Sequence, residues 1–158
     1  MDNNMSIIFD AKSQNEGLAR IAIAAFVTEQ DPTVEEIKDI KTAVSEAVTN
    51  CIIHGYENRI GIVKIHAQLI QGEIKIEIAD NGKGIENIEM AKEPLYTTKP
   101  NLERSGMGFT IMESFMDSME VESIVGLGTK VTMKKKIKKQ DEQNNEEKMP
   151  NSTYAMSV

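Results

Sequence analysis

The chain of 158 residues has no tryptophan, few aromatic residues (4%), four prolines and a single cysteine, Cys51. One cysteine excludes an intramolecular disulfide framework and every multi-cysteine zinc pattern, and it suits a reducing compartment. No apolar run approaches the ~18 residues needed to cross a bilayer, and no basic-then-apolar leader opens the sequence. A cytoplasmic protein is therefore expected, without membrane insertion. Cationic excess is also missing: the formal net charge is −7. Nucleic acid is thus disfavoured as a direct partner, because phosphate backbones call for a basic surface. What is present, 40% hydrophobic residues, is enough for one ordinary globular core.

Apolar periodicity outlines the elements. Ser6 to Asp10 alternates as a strand, expected at a sheet edge. Ser13-Gln14-Asn15-Glu16 has capping-box spacing and opens a helix striped by Leu18, Ile21, Ala22, Ala25 and Phe26, which ends before Asp31-Pro32. Thr33-Val34-Glu35-Glu36 repeats the cap before a helix striped by Ile37, Ile40, Val44, Val48 and Cys51 or Ile52, with Gly55 as its stop. From Ile62 two alternating strands flank a Gln71-Gly72 turn. A long mixed loop follows, then a helix carrying Phe109, Met112, Phe115, Met116 and Met119. Two last strands, Val121–Val125 and Thr129–Met133, are turned by Gly126-Leu127-Gly128. The order predicts an α+β fold, a two-layer α/β sandwich with a mostly antiparallel sheet covered on one face by helices. Residues 1–137 form the expected domain, with a disordered polar tail over 138–158. The lysine run from Lys130 to Lys139 reads as a solvated edge strand.

Three places carry chemistry. Glu46 and Asn50 lie four residues apart in SEAVTNCIIHGY, on one helix face. Asn50 can offer an oxygen to Mg²⁺, and Glu46 can take a proton from an attacking hydroxyl. Asp80-Asn81-Gly82-Lys83-Gly84 follows a strand; its carboxylate can accept from a base amino group while the glycines allow close backbone approach, although a tight turn or a metal loop fits the same residues. Ser105-Gly106-Met107-Gly108 precedes a helix, which suits phosphates or simply a flexible helix start. Together they point to phosphoryl transfer from a nucleotide. His54 and His66 read as structural, and Cys51 as packing.

In order, EAVTN, DNGKG, GMG and the GLGT of the last hairpin resemble the boxes of the ATP-binding (Bergerat-type) fold shared by gyrase, histidine kinases, mismatch-repair ATPases and some chaperones. Within it, SQNE..AR, SEAVTN.IIHGY and PL.TTKP.LERSGMGFTIME are similar to the small sporulation anti-sigma factors with serine kinase activity, over roughly Met5 to Lys136. That resemblance implies ATP and Mg²⁺ as cofactors. It implies Glu46 as general base, Asn50 on Mg²⁺, Asp80 on the adenine amino group with Thr129 behind the base, and Gly82 and Gly84 shaping the pocket. Thr97, Thr98, Ser105, Gly106, Met107 and Gly108 fall among the nucleotide contacts, within and beyond a lid over about 86–104, and Arg104 reaches the γ-phosphate as a catalytic residue. Arg20 matches the contact to partners: a sigma factor of RNA polymerase, and an anti-anti-sigma protein phosphorylated on serine. A homodimer is also implied. A detached histidine-kinase catalytic domain and a non-catalytic ATP-gated binding module are the alternative readings.

Overall fold

In the computed structural model, residues 2–94 and 107–138 are described. The elements run β1 (Asn3–Asp10), α1 (Ser13–Val27), α2 (Val34–Asn50), β2 (Ile62–Ile70), β3 (Glu73–Asp80), α3 (Ile88–Ala91), α4 (Gly108–Phe115), β4 (Ser118–Ile124) and β5 (Gly128–Lys136). A 3₁₀ turn (Thr28–Gln30) follows α1, and a π-helical turn (Cys51–Gly55) extends α2. The five strands order as β1-β2-β3-β5-β4, every neighbouring pair antiparallel. The expected α+β sandwich is therefore present.

Alternation decides which sheet face is covered. Val63, Ile65, Ala67 and Leu69 of β2 and Ile74, Ile76 and Ile78 of β3 are buried, and they join Ile23, Ile40, Val44, Val48 and Met112 of the helices in one core. The intervening residues face away from the helices. There His66, Glu77, Thr132 and Glu120 line up across four strands, Lys75 pairs with Glu77 at 2.9 Å, and Lys130 pairs with Glu122 at 3.0 Å. Ser6 Oγ meets His66 Nδ1 at 2.8 Å and ties the edge strand to this polar face.

Several expectations change. Lys12, not Ser13, occupies the N-cap of α1, and its side chain makes no capping bond. The reason is that Glu16 is engaged elsewhere: it accepts a hydrogen bond from Ser45 Oγ of α2 and pairs with Arg20 at 3.8 Å. The core stripe of α1 is Ala19, Ile23 and Val27, whereas Leu18 and Ile21 are 59% and 62% exposed. Met119 lies on β4, because α4 stops at Phe115 and Met116 is already extended. The lysine-rich strand β5 is interior, hydrogen-bonded to β3 and β4 on its two sides, so β4 is the edge. Apart from Lys138, the expected tail lies outside the described residues.

The start of α2 conforms to its signal. Thr33 Oγ1 accepts from the Glu36 N–H at 3.1 Å, and the Thr33 N–H donates to Glu36 Oε2 at 2.9 Å. Buried Glu36 also accepts from the Lys138 N–H through Oε1 at 2.8 Å, fastening the far end of the described chain to this helix. Thr33→Ala should therefore cost about 1 kcal/mol, the usual worth of an N-cap. Glu36→Ala should cost more, since it strips two backbone donors of their acceptor; urea unfolding measures both, and equal costs would show that the Lys138 bond adds nothing.

Candidate nucleotide-binding site

The site forms where the end of α2 meets the end of β3. The π-helical turn widens the last turn of α2, a distortion that commonly marks functional segments, and it brings Cys51 and Gly55 against Asp80, with His54 on the wall of the same cavity. A cavity of about 470 Å³ opens there. Its walls include Asn50, Asp80, Gly84, Met90, Gly108 and Thr129. The size is within the range of small-molecule sites, and apolar residues share the lining with polar and charged ones, Lys83, Glu86 and Asn87 among them.

Asp80 is only 7% exposed. Its Oδ1 accepts from the Gly82 N–H at 2.8 Å. Burial raises its pKa above the usual carboxylate value, opposed by hydrogen bonds from the Gly82 backbone, the Cys51 thiol and the Thr129 backbone. Burial likewise pushes the Cys51 thiol well up, and the Asp80 charge adds to the effect. Cys51 is thus more than packing: it is a neutral thiol donor held against the carboxylate.

Glycines let three backbones converge around Asp80. A Cβ on Gly82 would run into the Gly55 carbonyl oxygen, and one on Gly128 into the Asp80 carbonyl oxygen. At Gly84, φ is +77° and the Ile124 carbonyl stands where a side chain would project. Hydrogen bonds close the same seams: Lys83 N–H donates to Gly55 O at 3.0 Å and Gly126 N–H to Lys83 O at 2.7 Å. Tyr56 Oη donates to Ile62 O at 2.6 Å and accepts from the Asn81 N–H at 2.7 Å, pinning the start of the glycine-rich segment.

Thr129 belongs to a small hydroxyl chain. Its Oγ1 meets Ser123 Oγ at 2.8 Å, and Ser123 Oγ in turn accepts from the Ile85 N–H at 2.8 Å. Across the cavity, Gly108 opens α4 facing Glu46 and Asn50. A methyl group there would sit 3.2 Å from both Asn50 side-chain polar atoms and 3.3 Å from Glu46 Oε2. Glu46, Asn50 and the start of α4 therefore lie together, while Asp80 and Thr129 are paired across neighbouring strands.

Of the expected residues within the described chain, Asn50, Asp80, Gly84, Gly108 and Thr129 line the cavity, Gly82 packs on Gly55, Glu46 approaches Gly108, and Met107 precedes Gly108 at the N-cap of α4. Arg20 stands apart, in a groove between α1 and α2. Thr97, Thr98, Arg104, Ser105 and Gly106 lie outside the described residues, as does most of the expected lid; its described beginning holds α3, capped by Asn87 Oδ1, which accepts from the Met90 N–H at 3.0 Å. Sequence reasoning gave no role to Tyr56 or Ser123, and marked Gly55 only as a helix stop and Gly128 only as part of a hairpin turn. Tyr56 and Gly55 carried a signal in IIHGY and Gly128 in GLGT, while Ser123 carried none.

Asp80→Asn separates binding from folding. Because the folded carboxyl holds its proton more tightly than the unfolded one, the wild type loses stability as pH rises through the window above the unfolded value, and that cost persists at neutral pH. The amide removes the charge and still accepts from Gly82. Its unfolding midpoint at pH 7 should equal or exceed that of the wild type, the difference closing below about pH 4, while adenine-nucleotide affinity falls about tenfold or more. A variant that unfolds more easily at pH 7 would show that the carboxylate is structural.

The histidine kinase-like ATPase domain model matches residues 9–135. The chain is 63% identical over 137 residues to the anti-sigma F factor of Clostridium beijerinckii, covering 86% of this chain and 96% of that one. It is 62% identical over 138 residues to the anti-sigma F factor of Clostridium perfringens strain SM101, covering 87% and 99%. In fold it is similar to the crystal structure of the RsbU and RsbW domains of Rv1364c from Mycobacterium tuberculosis, with a TM-score of 0.62 at 19% identity; the match covers 85% of this chain and 32% of that one. The chain belongs to the histidine kinase-like ATPase domain family and, within it, to the anti-sigma F factors.

Proposed function

We infer that this protein is an ATP-dependent anti-sigma factor of sporulation and a protein serine kinase. In this reading the ATP-bound form, a cytoplasmic homodimer, captures a sigma factor and withholds it from RNA polymerase. An anti-anti-sigma protein displaces the sigma factor and is then phosphorylated on a serine. The observation that carries the kinase reading is the Glu46 carboxylate and Asn50 amide against Gly108 at the head of α4. The names of relatives more than 60% identical support the anti-sigma half.

In this reading the residues divide the work. Asp80 accepts from the adenine amino group, with Thr129 behind the ring, while Gly82 and Gly84 hold the backbone close to it. Phosphates lie toward the head of α4, where the N–H groups of Met107 and Gly108 face developing negative charge, and the resemblance adds Gly106 to them. Asn50 supplies a neutral hard oxygen, the donor type that Mg²⁺ accepts alongside phosphate and water. Bound there, Mg²⁺ would offset charge on the phosphate oxygens. The resemblance assigns Thr97, Thr98 and Ser105 to nucleotide contact and Arg104 to the charge on the transferring group.

The transfer itself is balanced within this set. The serine oxygen attacks the γ-phosphorus, the bond to the β,γ-bridging oxygen breaks, ADP leaves, and the hydroxyl proton passes to Glu46. Arg20, on the α1 surface away from the cavity, serves partner contact rather than chemistry.

Labelled phosphate transfer from ATP to a candidate antagonist protein tests this. Acid-stable label on serine should fall at least about a hundredfold in Glu46→Gln, with ATP and sigma binding retained. Acid-labile label, or undiminished transfer by the variant, would overturn the assignment.

A further inference from the structure

A second concavity of about 530 Å³ runs between α1 and the first half of α2. Arg20, Lys38 and Lys41 line it together with the apolar Val34 and Ile37. Val34 is 81% exposed. Neither lysine joins an ion pair among the described residues. A basic groove of this kind contrasts with a chain whose net charge is −7. Its complement is an acidic segment.

The chain itself carries one. Residues 141–147 read DEQNNEE, with four carboxylates and no cation. Three contacts deliver the chain to the start of α2 just before that segment: Ile137 is buried, Lys135 Nζ lies 3.7 Å from Asp39 Oδ2, and the Lys138 N–H donates to Glu36 at 2.8 Å. Val34, Lys38 and Lys41 follow on the same helix, in a stripe spaced by four and three residues. From Lys138, an extended chain reaches about 10 Å by Asp141 and about 30 Å by Glu147. That suffices to pass round one helix, whose diameter is about 10–12 Å.

We propose that the acidic segment 141–147 folds back into the groove between α1 and α2 and meets Arg20, Lys38 and Lys41. Each exposed pair contributes little alone. A short covalent tether, however, gives the segment an effective concentration in the millimolar range, so weak pairs suffice. The 137 residues shared with the Clostridium beijerinckii relative take up 96% of that protein and only 86% of this one, so the extra length belongs to this chain. If Arg20 serves partner contact as read above, a seated segment competes with the partner; the docking itself does not depend on that reading.

The test is amide NMR on the full chain, comparing the wild type with a variant in which Asp141→Asn, Glu142→Gln, Glu146→Gln and Glu147→Gln are combined. Docking predicts shifts at Arg20, Val34, Ile37, Lys38 and Lys41, reproduced in the wild type by about 0.5 M salt and by Lys38→Gln with Lys41→Gln. These shifts should persist on roughly tenfold dilution. Changes confined to residues 139–158 would overturn the proposal and leave the groove to another molecule. Groove shifts lost on dilution would also overturn it, showing docking between copies. None of these readouts involves nucleotide, so failure here and failure of the kinase reading are distinguishable.

Discussion

The site depends on one close approach, that of the Gly55 carbonyl at the end of α2 to the Gly82 backbone just beyond β3. No side chain fits between them. The approach sets where β3 ends relative to α2, and so places Asp80 beside Cys51 while Asn50 and Glu46, one and two turns back, face the head of α4. A carboxylate so enclosed is held at a cost, because burial penalises its charge and three hydrogen bonds only oppose that penalty. A ligand donor reaching Asp80 would restore part of what desolvation removes. The cost of enclosing the carboxylate and its capacity to accept from a ligand thus share one origin.

The sheet supplies the rigidity this arrangement needs. Asp80 and Thr129 are directly paired across β3 and β5, so two residues separated by almost fifty positions in sequence are fixed by ladder geometry. Lysines of interior β5 are settled one by one: Lys130 lies opposite Glu122 and pairs with it, whereas Lys135 turns to the helical side, where its Nζ donates to Phe115 O and pairs with Asp39. At Lys130 the stabilising neighbour is an acidic residue directly across the strand.

Much of this was legible in the residues. The capping box at Thr33, the Gln71-Gly72 hairpin and the alternation of β2 and β3 follow from local rules, and the order of the four boxes pointed to the family. What local rules missed was tertiary. The α1 stripe failed because that helix is apolar on two sides, and periodicity alone cannot say that Ala19 and Ile23 face the core while Leu18 and Ile21 face out. The cap at Ser13 failed because Glu16 had a partner on another helix. The role of Ser123 was invisible, since it exists only once β4 lies beside β5. The π-helical turn has no sequence period of its own, yet it sets the floor of the cavity.

The most direct test of the account is calorimetric titration of the protein with ATP and with ITP, which differ at the purine 6-position: an amino group in one, a carbonyl in the other. A buried carboxylate that reads the amino group loses its donor with ITP and faces an oxygen instead. ATP should bind about tenfold or more tightly than ITP, a difference of about 1.4 kcal/mol or greater. Equal affinities would mean that Asp80 does not contact the base and that the nucleotide lies elsewhere.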